Sequence, residues 1–489
     1  LALNPLKKLA SQTVIYGISH TLGRVINFLL VPIYTGIFPS EEFGVVGIMY
    51  SVVAMAMILF TYGMETAFFN FSRENDSSRV FSTGAISLTL SSIVILLIWL
   101  TFSQNIANYL ETPNRVDLVK IMGFILAFDA LNALPLARIR QMERPVRFSW
   151  VKLTNIGLNI GFNLYFLVAC PWLVENGYQA PFYNDQLGIT YIFISNLLAS
   201  AVSFVMLLPE YKEVVNGFDH KLWKKMIVYA APLILVGLAG VINETIDRLM
   251  LQKLLPEETA LGDVGKYNAF YKLSIFMTIV VQAFRYAADP FFFSHAKEEN
   301  PKPVYARVML YFVACCSLIF LAVSMFVEPI SKLIIRDNEY FQHPHVMFLV
   351  PILLLANLFL GVNFNLNIWY KLKSKTMAGA WIAAGGAAAT IMLNWMLIPI
   401  MGILASAIVT LLVYSGMALA SYKLGQKHYP IPYNLKMIGF FIVSAVVIYL
   451  VHLGLKSLLP IWAIAVTGLI FMGVYGLMAW TLLSPNKKT

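Results

Sequence analysis

Residues 82–103 read STGAISLTLSSIVILLIWLTFS, 22 positions without one charged side chain. As a helix this run would rise about 33 Å, enough to cross the roughly 30 Å hydrocarbon layer of a bilayer. The rest of the chain is written in the same manner. Its 489 residues are 59% hydrophobic and only 12% charged, with a mean hydropathy of +0.72. A soluble chain is about half apolar and about a quarter charged. A soluble enzyme, a secreted disulfide scaffold and a disordered chain are therefore excluded, and an all-α polytopic membrane protein is predicted. The cysteines, Cys170, Cys315 and Cys316, all sit in apolar runs, and no CxxC or Cys/His ligand spacing occurs. Neither a structural disulfide nor a metal centre is predicted, and no cofactor.

Including 82–103, about fourteen segments of spanning length occur along the chain. They run 12–37, 43–68, 82–103, 116–137, 148–172, 187–208, 226–251, 265–293, 306–330, 345–370, 377–398, 402–422, 437–455 and 461–483. The weakest divisions are the one at Pro399–Met401 and the last pair. Lys7 and Lys8 precede the first segment, and no small-residue cleavage site follows it, so a retained helix is expected rather than a signal peptide.

Basic residues test this count. Of 35 Lys and Arg, four are assigned to span interiors; counting residues close to a span end with the adjoining loop, seven lie on one side: Arg115, Lys120, Lys253, Lys266, Lys332, Arg336 and Lys456. The other 24 lie on the opposite side, the asymmetry of the positive-inside rule. Both termini are thereby predicted to be cytoplasmic, and the net charge of +10 reads as topology rather than nucleic-acid affinity. All loops are short. The longest outside one, about 174–186, is too small for a catalytic domain, so the work of the protein is expected within the membrane.

An internal repeat is legible. Val25-Ile26-Asn27 is followed by Phe38-Pro39-Ser40-Glu41-Glu42 and Val46-Gly47, and Val241-Ile242-Asn243 by Leu255-Pro256-Glu257-Glu258 and Val264-Gly265. The offset between the copies is nearly constant and maps the first span onto the seventh. Chance similarity among apolar helices is one explanation. The other is a transporter built from two parallel lobes about an axis along the membrane normal. The expected division is residues 1–210, then 211–428, then two further spans in 429–489.

Several motifs then form a series. They are Gly23-Arg24, Val31-Pro32-Ile33-Tyr34, Pro39 to Gly44 (PSEEFG), Gly63 to Phe69 (GMETAFF), Ile246-Asp247-Arg248, Gln282 to Phe291 (QAFRYAADPF), and Asn394 through Gly402 to Ala407. In order and spacing this series resembles the polysaccharide-unit (oligosaccharide, Wzx-type) flippases of the multidrug/oligosaccharidyl-lipid/polysaccharide exporter superfamily, over roughly residues 10–425. The resemblance implies two six-helix lobes, a central cavity open to one side at a time, and two extra C-terminal helices. It implies as cargo a polyprenyl-pyrophosphate-linked saccharide moved from the inner to the outer leaflet of a bacterial cytoplasmic membrane for O-antigen or exopolysaccharide assembly. Membrane lipids, polysaccharide assembly proteins and a coupling Na+ or H+ would be its partners. Physics supplies the need. Each unpaired polar group costs several kcal/mol in hydrocarbon, so a saccharide pyrophosphate flips very slowly unaided. Exporting two negative charges across an inside-negative potential gains roughly 4–5 kcal/mol per 100 mV. No bond is broken, and no enzyme is predicted.

Arg24, Arg248, Lys272 and Arg285 are the basic residues inside spans, where charge faces a cavity or a partner. The planar fork of Arg suits pyrophosphate. Arg24 shares a helix face with His20 and Asn27. Structural pairing with Glu65, Asp129, Glu244, Asp247 or Asp289 is the competing use; Glu244–Arg248 and Arg285–Asp289 are each four apart. Glu65, Asp129 and Asp247 are also candidates for ion coupling. Asn155, Asn159 and Asn163 form a stripe at helical spacing, as do Asn363 and Asn367 beside Trp369 and Tyr370. These amides suit either sugar hydroxyls or interhelical hydrogen bonds. A cation-coupled multidrug antiporter of the same fold would favour an acidic cavity, against which Arg24 argues. A peptidoglycan-precursor flippase uses the same lipid carrier and stays open. A polymerase or ligase would need larger outside loops.

Overall fold

The computed structural model describes residues Val25, 28–212, 214, 217–295, 301–373 and 375–484. Arg24, His20 and Asn27 lie outside them, and of Asp289 the backbone alone is described. The described residues are helical with no strand. Among the described residues twelve helices are long and apolar enough to cross a membrane, and each coincides with one expected span. The remaining two expected spans are the first, described only in part, and the eighth, which breaks at Ser274 into two helices.

The chain divides into two compact units, with the boundary between Gly265 and Lys266. The first contains α1 (Val31–Ile37), α2 (Ser40–Thr61), α3 (Met64–Phe71), α4 (Ser77–Thr101), α5 (Ser103–Tyr109) and α6 (Val116–Gln141). It continues with α7 (Pro145–Glu175), α8 (Thr190–Tyr211), α9 (His220–Leu254) and the first half of α10 (Glu257–Leu273). The helix ends follow local chemistry. Glu41 and Glu42 place negative charge on the first turn of α2, where the helix dipole favours it. Pro145 opens α7 in its first turn, where backbone N–H groups have no intrahelical acceptor and the missing one costs nothing. Near its far end α7 takes one π-helical turn, Tyr165–Ala169, just before Pro171. Between α2 and α3 the chain turns through two consecutive left-handed residues, Tyr62 at φ 34° and Gly63 at φ 71°. The Tyr62 hydroxyl is held 2.8 Å from Ser87 Oγ. Met64, Phe68, Phe81, Leu134 and Met226 from α3, α4, α6 and α9 fill the core behind that turn.

Asp219 caps α9, accepting the backbone N–H groups of Lys221 at 2.9 Å and Leu222 at 3.1 Å, and pairs with Arg79 at 2.6 Å. The Leu222 N–H first, then Arg79 and the Lys221 N–H, hold its carboxyl below the usual carboxylate range. A depressed folded-state pKa contributes stability above the unfolded value near 4 that disappears as pH falls through the folded value. Asp219→Ala is accordingly expected to lower the Tm by roughly 1–2 °C at pH 7. Thermal scans of both proteins should draw together as pH falls below about 4 and meet only below the folded-state value; a gap that stays constant throughout that fall would assign the effect to packing.

The second unit contains α11 (Ile275–His295), α12 (Lys302–Met325), α13 (Val327–Ile334), α14 (Val346–Leu366), α15 (Ile368–Leu372), α16 (Thr376–Met401), α17 (Ile403–His428), α18 (Leu435–Leu455) and α19 (Ile461–Leu483). The division between α16 and α17 is made by Gly402 alone, at φ 60° and ψ −141°, a conformation open to glycine. Ala356, Val409, Val413 and Tyr414 join α14 to α17. Apolar faces on the outside complete the membrane reading. Leu90, Ile93, Val94, Leu97 and Ile98 make an exposed stripe along α4. On α19, Trp462 and Trp480 are 73% and 75% exposed, and eighteen helical residues set them about 27 Å apart, the separation of the two aromatic belts of a bilayer.

Candidate functional site

A line of polar side chains runs through the first unit, on α1, α2, α3, α6, α7 and α8. At one end the Tyr34 hydroxyl donates to Asn163 Oδ1 at 2.9 Å. Asn163 in turn donates to Asn159, carbonyl at 2.7 Å and Oδ1 at 2.8 Å. Tyr34 lies in electrostatic range of Tyr50, whose hydroxyl accepts from Asn196 at 3.2 Å and whose ring stacks on Phe193. Tyr50 is within range of Asp129. Asp129 accepts from Ser200 Oγ at 2.7 Å, while Asn155, one helical turn along the α7 stripe from Asn159, donates to Ser203 Oγ at 2.9 Å. Lys152 then stands in electrostatic reach of Asp129, Arg140 and Glu65. Arg140 closes on Glu65 as an ion pair, with its guanidinium 5.3 Å from the Phe69 ring centroid.

From Lys152 to Asn163 the column covers eleven residues of α7, roughly 16 Å. Such a series is tolerated in a bilayer where its members bond to one another between helices or where it lines a path or a site. It combines amide and hydroxyl groups, suited to sugar hydroxyls, with two cations and two carboxylates at one end. That arrangement can hold a polar, multiply hydrogen-bonding solute, and it can exchange a proton or a small cation at Asp129.

Of the sequence candidates, Asn155, Asn159, Glu65 and Asp129 meet in this column. Arg248 and Asp247 are also in the first unit, on α9. Both are buried, and Arg248 Nη1 donates to Asp247 Oδ1 at 2.7 Å and to the Glu244 carbonyl at 2.5 Å. Arg248 is thus held in part by its chain neighbour and by a backbone oxygen of Glu244 rather than by the Glu244 carboxylate. The second unit holds the others. Lys272 is exposed near the end of α10. Arg285 is exposed on α11, with its guanidinium 4.8 Å from the Phe364 centroid. Asn367 accepts from Ser421 at 3.2 Å, and Asn363 is 3% exposed. Asn365, which carries no signal in the sequence, is fully buried, and neither of its amide atoms finds a partner among the described residues. A buried unmatched amide costs about 1–3 kcal/mol.

Lys152, Tyr34 and Tyr50 are likewise absent from the sequence candidates. Charge counting groups Lys152 with the cytoplasmic cations, because it lies only four residues inside the expected start of its span at 148. Pro145 starts the helix earlier and sets Lys152 about two turns inside it.

The second unit offers one more feature, an apolar groove of about 490 Å³ between α12 and α19. Tyr311, Ala314, Cys315 and Leu318 form one wall, and Tyr475, Gly476, Ala479 and Trp480 the other.

A family model described as polysaccharide biosynthesis protein matches residues 9–296. No curated protein sequence matches significantly. Among solved structures, the lipid II flippase MurJ in an inward closed conformation superposes with a TM-score of 0.70 at 14% identity, covering 96% of this chain and 100% of that one. A MATE transporter of Vibrio cholerae, VcmN, gives 0.61 at 14% identity, with 87% and 98% covered. An inward-facing multidrug resistance MATE family transporter of the MOP superfamily gives 0.61 at 12%, with 83% and 94% covered. At these identities the likeness is one of fold.

Proposed function

The chain belongs to the polysaccharide biosynthesis protein family, and from that membership we propose that it is an alternating-access flippase. Its cargo is a polyprenyl-pyrophosphate-linked oligosaccharide, moved from the inner to the outer leaflet of the cytoplasmic membrane for surface polysaccharide assembly. The observation that carries this reading is the polar column of the first unit. Amides and hydroxyls on Tyr34, Asn155, Asn159, Asn163 and Asn196 offer a neutral saccharide the hydrogen bonds it gives up on leaving water. Lys152 and Arg140 stand at the end that the charge asymmetry assigns to the cytoplasm, where an anionic pyrophosphate arrives. The apolar groove between α12 and α19 suits a prenyl tail, which never needs to leave hydrocarbon. Arg24, Arg248, Lys272 and Arg285 remain the intramembrane cations proposed to meet the pyrophosphate, with Asn363 and Asn367 as further sugar contacts. Glu65, Asp129 and Asp247 are the proposed sites of Na+ or H+ coupling or of ion pairing.

A peptidoglycan-precursor cargo is favoured as second reading by one comparison. The lipid II flippase structure covers 96% of this chain, and the remainder is shorter than the α18–α19 pair. The MATE structures cover between 83% and 91% of this chain, somewhat less than the lipid II flippase, and the drug-antiporter reading therefore ranks third.

The test is flipping by purified protein in proteoliposomes. Labelled polyprenyl-pyrophosphate oligosaccharide is loaded, and outer-leaflet exposure is followed with a membrane-impermeant reagent. Protein-dependent exposure, reduced at least roughly tenfold by Arg24→Ala, is the expected result; loss of one charge-assisted contact is of that size. Exposure of lipid II but not of other oligosaccharides selects the second reading. No exposure above empty liposomes, with several saccharides and ion gradients, sinks both.

A further inference from the structure

At one end of the second unit, the α14–α15 junction, the last turn of α17 and the loop before α18 enclose a cavity of about 10 Å³. Trp369, Gly425, Gln426, Tyr429, Ile431 and Tyr433 line it. Trp369 is 2% exposed, and its indole Nε1 has no acceptor among the described residues. Its edge presses on Gly425, where a Cβ would come within 2.8 Å of Cδ1, and the His428 ring stacks on it at 5.3 Å. The Tyr433 hydroxyl is buried and likewise without a partner among them. Burial pushes the Tyr433 phenol up, so it stays protonated. At the rim, Lys302 Nζ lies 4.9 Å and Lys373 Nζ 5.4 Å from the centroid of the Tyr429 ring. Both ammonium groups thus lie against one ring, and among the described residues no carboxylate partner is found for either.

Donors dominate. An indole N–H and an ammonium group only donate; of the Gln426 amide, which also carries an acceptor oxygen, one N–H goes to the Ile431 carbonyl at 2.7 Å. A group that satisfies this cluster must bring acceptors and negative charge. We propose that Lys302, Lys373, Tyr433 and Trp369 form a binding site for a phosphate-bearing anion at the cytoplasmic surface of the membrane. The two lysines hold the charge at the rim. The cavity has room for one water-sized group, so a single phosphate oxygen enters it and meets the Tyr433 and Trp369 donors. The phosphate belongs either to an anionic phospholipid headgroup or to a soluble phosphate. This proposal uses the orientation given above and is independent of the cargo, so its test involves no transport.

The full-length protein, delipidated in neutral detergent, is titrated with dioleoylphosphatidylglycerol or dioleoylphosphatidylcholine and retained lipid counted by native mass spectrometry. A parallel arm records the Tm with inorganic phosphate. The double variant Lys302→Gln/Lys373→Gln is expected to weaken phosphatidylglycerol retention roughly tenfold or more relative to phosphatidylcholine. Tyr433→Phe, which keeps the ring, is expected to weaken it about threefold to tenfold. If the variants instead abolish only stabilisation by inorganic phosphate, the site stands with a soluble ligand. Unchanged binding of both probes, in variants whose Tm in plain buffer matches wild type, overturns the proposal.

Discussion

Gly265→Ala is expected to abolish accumulation of folded protein, or to lower its stability by at least about 4 kcal/mol, the range reached by few single substitutions. The cause is a crossing of α2 and α10 in backbone contact. A Cβ at residue 265 would stand 1.7 Å from the Ser40 carbonyl oxygen, and one at Gly44 would stand 2.1 Å from that of Leu261. Overpacking of a core side chain costs about 1–3 kcal/mol because the neighbour can turn aside. Here the obstacles are main-chain atoms. Relief requires α2 and α10 to move apart at their closest approach, which loosens the buried Phe43 and Val264 as well. Two substitutions provide the scale. Gly262→Ala, also on α10, meets the Ser40 hydroxyl at 3.2 Å, a group that can rotate, and a loss near about 1 kcal/mol is expected. Gly240→Ala on α9 meets nothing within 4 Å among the described residues and is expected to stabilise by roughly 0.5–1 kcal/mol through helix propensity. Fluorescence-detected size exclusion and thermal scans of detergent extracts rank the three. Equal Tm for Gly265→Ala and Gly240→Ala would refute the crossing.

That contact shows what sequence reading reaches. Pro39 to Gly44 and Leu255 to Gly265 are legible as a repeated pattern, but no periodicity says that the two copies bring Gly44 and Gly265 together; approach of backbones is a tertiary fact. The spans are legible because hydrocarbon selects length and apolarity one residue at a time, and twelve helices lie where hydropathy puts them. The uncertain division at residues 399–401 is fixed by Gly402, whose positive φ leaves no trace in hydropathy. The Asn155–Asn159–Asn163 stripe is legible from helical spacing, whereas its partners are not. Tyr34, Asn196 and Ser203 reach it from other helices, or through Tyr50, and look like ordinary interfacial or core residues in one dimension. Charge pairing is the least accessible. Arg140 reads as a loop cation and Glu65 as an isolated acid, yet the fold brings them together across 75 positions of chain.

Asp129→Asn and Lys152→Gln are each expected to slow cargo flipping by roughly tenfold to a hundredfold, and the double substitution separates the two uses of the pair. Asp129 is fixed by Ser200 and shares its field with Lys152, which also feels Glu65 and Arg140. Within hydrocarbon thickness, removing either charge unbalances this group of two cations and two carboxylates, and such truncations cost up to several kcal/mol. Suppose the pair is purely structural. Removing both charges then restores a neutral column, and the double variant recovers most of the lost rate, with a coupling energy of about 1–3 kcal/mol in the cycle. Suppose instead that Asp129 takes up a proton or a cation in each transport cycle. No substitution at Lys152 then supplies the missing carboxylate. The double variant stays as slow as Asp129→Asn, and the dependence of flipping on the imposed ion gradient disappears with it. Proteoliposomes charged with a proton gradient, a Na+ gradient or neither, for wild type and the three variants, distinguish these outcomes. Wild-type rates in all three variants would remove the column's charged end from the transport path altogether. Protein amounts are matched by size exclusion beforehand, because an unpaired charge in a span also lowers insertion yield, and only rates per folded molecule report on the cycle.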